Sequence, residues 1–502
     1  MDGTQRRDRA RVTGTASAVV AGLGAAVGAS AIAAGDIAAA WGTGGGSQRA
    51  TLAVCAPDED ALTLAWRAGV AALKAAGIDA ASVDALYWGT ARPPMPEGPS
   101  HAFLAAALGL APTSGGLLAT GSALAGMDAL CAGWDAVSSG HARIVVVVAS
   151  DALVPGAGTA GERETGAGAA AVVLVAYGAY GAIAGDAPAL LYARVTATRP
   201  VLDRHRGDGM EATADAYDAR LYREKVLVPA VSSVHEILAK SVDGATAWSL
   251  PDPDGSLAKV VARSVGVAAV CSEGVHAAIG DTGAAAPLLG AFRGLARPGT
   301  VAVVGYGAGR ATGVAIEVTG EVPGAREAAV VAHGESIRDG DRIGYVELAR
   351  SRGQIVPLAE PVAMGVPPGS AAFVRGAGEI FGFAGRRCDV CGTVAVPPSI
   401  HPVCPGCGST GGNLVALARS GTVQTFVVNE TMPPPFEAPL PLVVCDLDDG
   451  ARVMLQGLST DATVLAVGDR VDLELRRYAL ERGVPVYGFK ARRSHVATGE
   501  EP

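Results

Sequence analysis

The sequence predicts a layered α/β protein made of two similar halves, followed by a cysteine-held metal module and a small β-barrel. Three observations support this reading. Over residues 10 to 320, helical patterns alternate with short β-branched runs, the grammar of stacked helices and sheets. At 388 to 408, two C-x-x-C pairs stand close together. Beyond 413, about five short alternating strands follow at a spacing typical of small barrels.

The elements follow in order. "DALTLAWRAGVAALKAAG" (60–77) reads as a helix with Asp58, Glu59 or Asp60 near its start, and "VDALYWGT" (83–90) as the next strand. "SHAFLAAALGL" is a helix, "GSALAGMDALCAGWDAVSSG" a longer one, and "ARIVVVVASDAL" a fully buried strand. A glycine-rich turn, "GERETGAGAA", leads into the strand "AVVLVAYG". The second half repeats the pattern with "VPAVSSVHEILAKSV", "ATAWSLP", "GSLAKVVARSVG", "IGDTGAAAPLLGAFRGL" and "GTVAVVGYGAG", which suggests an internal duplication. The expected domains are 10–175 and 176–320 for the halves, and 321–385 for a Gly- and Pro-rich linker around "VAMGVPPGSAAF". Residues 386–412 then form the cysteine module, 413–495 the barrel and 496–502 a disordered tail.

Composition narrows the function. A net charge of −9 lacks the concentrated basic face that phosphate backbones require, which argues against nucleic-acid binding. The barrel strands also lack a ladder of exposed aromatics for base stacking. The N-terminal stretch combines arginines with an apolar run, like an export signal. That run is Ala, Gly and Val rather than Leu and continues without a break, which weighs against export. No run reaches the ~20 strongly apolar residues of a membrane span. Eight cysteines, four of them in two pairs, fit a cytoplasmic protein in a reducing compartment.

In "CDVCGTVAVPPSIHPVCPGCG", Cys388 and Cys391 form one knuckle and Cys404 and Cys407 the other. The two-residue gap lets both thiolates of a knuckle reach one ion, and the glycine after each permits the tight turn. Four sulfur ligands leave no open coordination position, so the metal implied is a structural zinc.

The segment order resembles something specific. "APDEDALTLAW", "ALYWGT", "GSALAGMDAL", "RIVVVVASD", "IGDTGAAAPLLG" and "VVGYGAG" are similar to the thiolase superfamily, in the branch of hydroxymethylglutaryl-CoA synthase and ketoacyl-carrier-protein synthase III. Residues 386–495 resemble the rubredoxin-like zinc ribbon plus OB-fold family that accompanies acyl-CoA-handling thiolases. The resemblance implies a duplicated thiolase-like αβαβα fold, acyl-CoA or an acyl-carrier thioester as ligand or substrate, a homodimer, and a partner thiolase or other acyl-CoA enzyme. In the synthase family a glutamate follows the "GT" strand, a cysteine attacks the thioester at a helix start, and a histidine and an asparagine come from the second half. The matching positions here hold Ala91, Ala123 (or Leu124 under the alternative spacing), Pro251 and Asp281. Alanine cannot supply a polarizable nucleophile.

Weaker catalytic candidates remain: Ser122, which also reads as a helix N-cap, His276, Asp281, whose burial would raise its pKa, and Tyr306. Cys131 reads as a buried small hydrophobe and His235 as lying on the exposed side of its helix. The glycines of "GYGAG", Gly305, Gly307 and Gly309, stand where the family's backbone approaches a thioester. Two functions follow: an acyl-CoA-binding scaffold that has lost Claisen condensation, or a cysteine-independent lyase or acyltransferase working by aldol chemistry.

Overall fold

Small and β-branched residues build the strands of the N-terminal part. They are β1 (Ala18–Val27), β2 (Ser30–Ala33), β3 (Thr51–Val54), β4 (Ala85–Gly89), β5 (Gly115–Ala119), β6 (Ile144–Ala152), β7 (Ala167–Ala176), β8 (Ala189–Thr198), β9 (Ala247–Ser249), β10 (Gly299–Gly307) and β11 (Arg310–Val318). The computed structural model describes residues 18–43, 49–183, 186–210, 212–214, 218–242, 244–338, 341–355, 369–432, 436, 438–481 and 483–494. The expected tail, 496–502, and residues 362–368 of the Pro-rich stretch lie outside them.

Nine strands form one sheet in the order β5-β4-β6-β7-β1-β8-β11-β10-β9, while β2 and β3 pair separately. Read outward from the middle, β1-β7-β6-β4 has its counterpart in β8-β11-β10-β9. The pairing senses match step for step: antiparallel, antiparallel, then parallel. Edge strand β5 has a reduced equivalent, the single parallel bridge between Trp248 of β9 and Val270. The duplication is therefore topological. The half-sheets meet through two residue pairs, Ala18 with Leu191 and Val19 with Leu190.

Helices complete five layers, giving the thiolase-like αβαβα arrangement. Helix Ala61–Ala76 starts at Asp60, whose carboxylate accepts the N–H groups of Leu62 and Thr63 in a capping box, and ends at Gly77 in the left-handed region. It covers β1, and helix Val228–Ser241 covers β11 from the other outer face, with Val234 against Gly313. Between the half-sheets, helices Ala125–Ser138 and Ala286–Leu295 share one core with strands of both halves. Their approach depends on missing side chains: a Cβ on Gly126 would lie 2.1 Å from the Ala284 carbonyl oxygen. Ala125 and Ala129 are buried within the single chain, whereas Asp135 on the same helix is exposed.

The apolar N-terminal run that resembled an export signal becomes, from Ala18, the buried strand β1 between both half-sheets. Its Ala/Gly/Val composition has a steric reason. A Cβ on Gly24 would lie 2.2 Å from the carbonyl oxygen of Ala68 on the covering helix.

The described chain divides into two compact units. One holds the residues up to 355 except 106–109, and the other holds 106–109 and the residues from 369. The stretch 321–385, expected as a connector, contributes to both. Helix Ala325–Ala332 buries Ala325, Ala328 and Ala332 in the core of the first unit, whereas helix Ser370–Ile380 belongs to the second. In the second unit, β12 (Ala384–Arg387), β13 (Val394–Ala395) and β14 (Asn413–Ala416) form a three-stranded ribbon. After it, β15 (Ser420–Asn429), β16 (Leu440–Leu447), β17 (Arg452–Gln456), β18 (Arg470–Glu481) and β19 (Val484–Arg493) run in the order β17-β16-β15-β18-β19. A bridge between Gly457 and Ala491 brings the two edges together, so the barrel is nearly closed. The Arg419 guanidinium lies 3.8 Å from the ring centre of Phe489 and 5.5 Å from that of Phe383, tying the ribbon to the barrel.

Candidate functional site

The C-terminal ends of β4, β6, β9 and β10 open onto one cavity of about 650 Å³ in the first unit. Equivalent loops of the two halves line it. Ala91 and Arg92 follow β4 as Leu250, Pro251 and Asp252 follow β9, and Leu153 follows β6 as Ala308 follows β10. This is where open α/β sheets usually bind ligands. Ser122, Ala123, His276, Asp281, Tyr306 and Gly307 all line it, so the structure brings together residues spread over some two hundred positions of sequence. Gly305 lies behind the wall against Met127 and Leu124, and Gly309 donates its N–H to Asp203 at 3.2 Å; neither is among the lining residues.

Among the described residues no cysteine lines the cavity. Ala123 lines it, and Leu124 is fully buried at the N-terminus of helix Ala125–Ser138. The Ser122 Oγ accepts the Leu124 N–H at 3.0 Å, a local cap with no base beside it among its described hydrogen bonds. Burial pushes the Cys131 thiol up to about 11, so at neutral pH it is no thiolate.

Asp281 is buried. Its Oδ2 receives the Arg204 guanidinium at 2.9 Å and its Oδ1 the Gly283 N–H at 3.0 Å, so each carboxylate oxygen carries a hydrogen bond. Tyr306 faces Tyr222, with ring centres 6.1 Å apart, and the Tyr222 hydroxyl donates to Asp203 at 3.1 Å. Burial raises both phenols above their ordinary value. His276 is 4% exposed, and neither ring nitrogen has a hydrogen-bond partner. His235, expected on an exposed helix face, instead rests half-buried on Trp248 with ring centres 4.3 Å apart.

Sequence reasoning missed Asp151, at the end of β6. Its carboxylate is fully buried and accepts four donors: the Ala284 N–H at 2.6 Å, the Thr90 hydroxyl at 2.8 Å, and the N–H groups of Ala91 at 2.8 Å and Arg92 at 3.3 Å. It ties the loop after β4 to the turn before helix Ala286–Leu295. The signal was present as an acid closing a four-valine strand in "VVVVASD". Tyr222 and Asp203 had none, since their stretch carries no periodic pattern.

In the second unit the four cysteine sulfurs lie within 4.8 Å of one another; they are the only such group of candidate metal ligands among the described residues. Cys388 and Cys407 sulfurs are 3.7 Å apart and Cys391 and Cys404 sulfurs 3.5 Å, close to the ~3.8 Å edge of a tetrahedron with 2.3 Å zinc–sulfur bonds. The N–H groups of Val390 and Gly406 point at Cys388 and Cys404. The Thr393 hydroxyl and N–H pull the Cys391 thiol down to about 6. The geometry fits one tetrahedral metal ion.

Residues 414–476 match the family described as ChsH2, C-terminal OB-fold domain. A DUF35 domain-containing scaffold protein of Methanothermobacter thermautotrophicus is 31% identical over 115 residues, 22% of this chain and 85% of that protein. A probable enoyl-CoA hydratase alpha subunit of Thermomonospora curvata is 32% identical over 105 residues, 20% of this chain; the chain spans 32% of that protein's length. Among solved structures, MvaS in complex with 3-hydroxy-3-methylglutaryl coenzyme A aligns with a TM-score of 0.54 at 20% identity, covering 71% of this chain and 95% of that one. The 3-oxoacyl-(acyl carrier protein) synthase III of Pseudomonas aeruginosa PAO1 aligns with a TM-score of 0.52 at 24% identity, covering 61% of this chain and 99% of its own. These two likenesses establish the thiolase fold. Among the described residues no helix is long and apolar enough to cross a membrane.

Burial drives Asp151 up to about 7 from 3.8, outweighing the donors that favour its charge. Between those values the folded state holds the proton that the unfolded chain has released, so this group's contribution to stability falls as pH rises through the window. We expect urea unfolding to show the wild type losing roughly 2–3 kcal/mol relative to Asp151→Asn between pH 5 and pH 8. An unchanged difference would contradict this.

Proposed function

We propose that this chain, which belongs to the DUF35-domain family through its C-terminal region and carries a thiolase fold before it, is an acyl-CoA-binding protein that performs no cysteine-based condensation and works with a partner acyl-CoA enzyme. One observation supports the reading: Ala91, Ala123, Pro251 and Asp281, the residues that the resemblance sets at the four chemical positions of the synthases, all line the cavity. Arg206, Arg220 and Arg223 lie among its lining residues and supply guanidinium groups of the kind that hold phosphates. The scaffold relative and the enoyl-CoA hydratase relative support association with another acyl-CoA enzyme. After incubation with acetyl-CoA, calorimetry is expected to show binding while intact-mass spectrometry shows no adduct. A stoichiometric acetyl group on Ser122 or Cys131 would revive the condensing enzyme.

Zinc is the metal we assign to Cys388, Cys391, Cys404 and Cys407, in a structural role, because a site closed by four thiolates leaves no position for substrate. Elemental analysis should give one zinc per chain. Cys391→Ser should release it and melt the ribbon, since metal binding there is part of the folding free energy. Metal-free protein with an unchanged melting midpoint would refute the assignment.

Dimerisation belongs to the same reading. Strand β5 ends the sheet with one side unpaired and Leu117 exposed, an edge that a second copy can cover. Light scattering at micromolar concentration is expected to return twice the mass of one chain, and a monomer would remove this part of the proposal.

A further inference from the structure

The family's histidine position holds Pro251, but the cavity has an imidazole from elsewhere. His276 enters through the short helix Val275–Ile279, which lies in the segment between Val270, the reduced counterpart of β5, and helix Ala286–Leu295. It is nine-tenths buried, lines the cavity, and leaves both Nδ1 and Nε2 without a hydrogen-bond partner. Each such group costs about 1–3 kcal/mol when water is removed and nothing replaces it, so the placement points to a ligand that completes it.

Several of the neighbouring acid–base groups are already engaged, although the Tyr306 hydroxyl, like the His276 nitrogens, is buried without a hydrogen-bond partner. Asp281 is held by Arg204 and Gly283. Asp203 accepts from Tyr222 and Gly309. Asp254 caps the helix that begins at Leu257, accepting the N–H groups of Ser256 and Leu257. His205 Nδ1 meets the Asp203 carbonyl at 2.8 Å. Asp252, next to the vacated family position, uses Oδ1 to accept the Ala258 N–H and lies close enough for its charge to interact with the His276 ring. The same turn runs beside the imidazole: a Cβ on Gly255, at φ +72°, would lie 2.9 Å from Nδ1.

We propose that His276 is a catalytic base of this cavity, removing a proton from the carbon next to the carbonyl of a bound acyl thioester. The inference rests on the acyl-CoA reading above. In the step, a ring nitrogen forms an N–H bond as the α-carbon–hydrogen bond breaks; that electron pair becomes the C=C bond and the carbonyl π pair moves onto oxygen, giving a thioester enolate. Reversal returns the proton, so no oxidant, reductant or acyl-enzyme is required. This is the half-reaction that aldol and retro-aldol chemistry share.

The test uses the full chain, acetyl-CoA and D₂O, with mass spectrometry reading deuterium at the acetyl methyl group and calorimetry reading affinity. Wild type should bind and exchange. His276→Gln should still fold and bind, and exchange at least 100-fold more slowly, as expected for loss of a positioned base. If His276→Gln does not fold, His276→Ala with and without added imidazole replaces it, and restored exchange on adding imidazole supports the role. Binding without exchange in the wild type, or exchange at the wild-type rate in a folded His276 variant, overturns the inference and leaves acyl-CoA binding standing. Absence of binding overturns the acyl-CoA reading itself.

Discussion

The cavity depends on one buried carboxylate. Asp151 sits where β6 ends, and its two oxygens collect donors from the loop after β4 and from the turn that starts a helix of the other half. An apolar side chain there would leave several buried N–H groups without acceptors, each unpaired at a cost comparable to a lost hydrogen bond. The cavity walls are therefore set by satisfaction of backbone donors, independently of which catalytic side chains the walls carry.

Most of the fold was readable because its determinants are local. The valine run of β6, the capping residues at Asp60 and Gly77, and the paired cysteines each act over a few residues. Strand β1 was not readable: its glycines answer to the carbonyl of Ala68 on a helix more than forty residues away, and periodicity does not register such a contact. The site divides in the same way. The cavity-lining Ser122, Ala123, His276, Asp281 and Tyr306 could be named from sequence. The Arg204 partner of Asp281, the Tyr222–Asp203 contact and the convergence of loops on Asp151 come from tertiary placement.

The second unit solves a different problem. The ribbon strands are short and its knuckles are open to solvent, with Cys391 and Cys407 exposed, so it has little apolar surface to bury. Small modules of this kind depend on cross-links, and four thiolates at tetrahedral spacing are suited to that. The barrel has an ordinary core, including Val443, Leu473, Leu475 and Phe489. Arg419 between Phe383 and Phe489 joins the two.

The repeated strand order has a thermodynamic consequence. The half-sheets share two residue pairs along their seam, while the cavity takes loops from matching places in both copies. A molecule occupying it therefore binds only the assembled pair of halves and neither half alone. By mass action such a ligand stabilises their association in proportion to the logarithm of its concentration over its dissociation constant. Occupancy and the cohesion of the duplicated unit are then linked quantities, and a change in either is felt by the other.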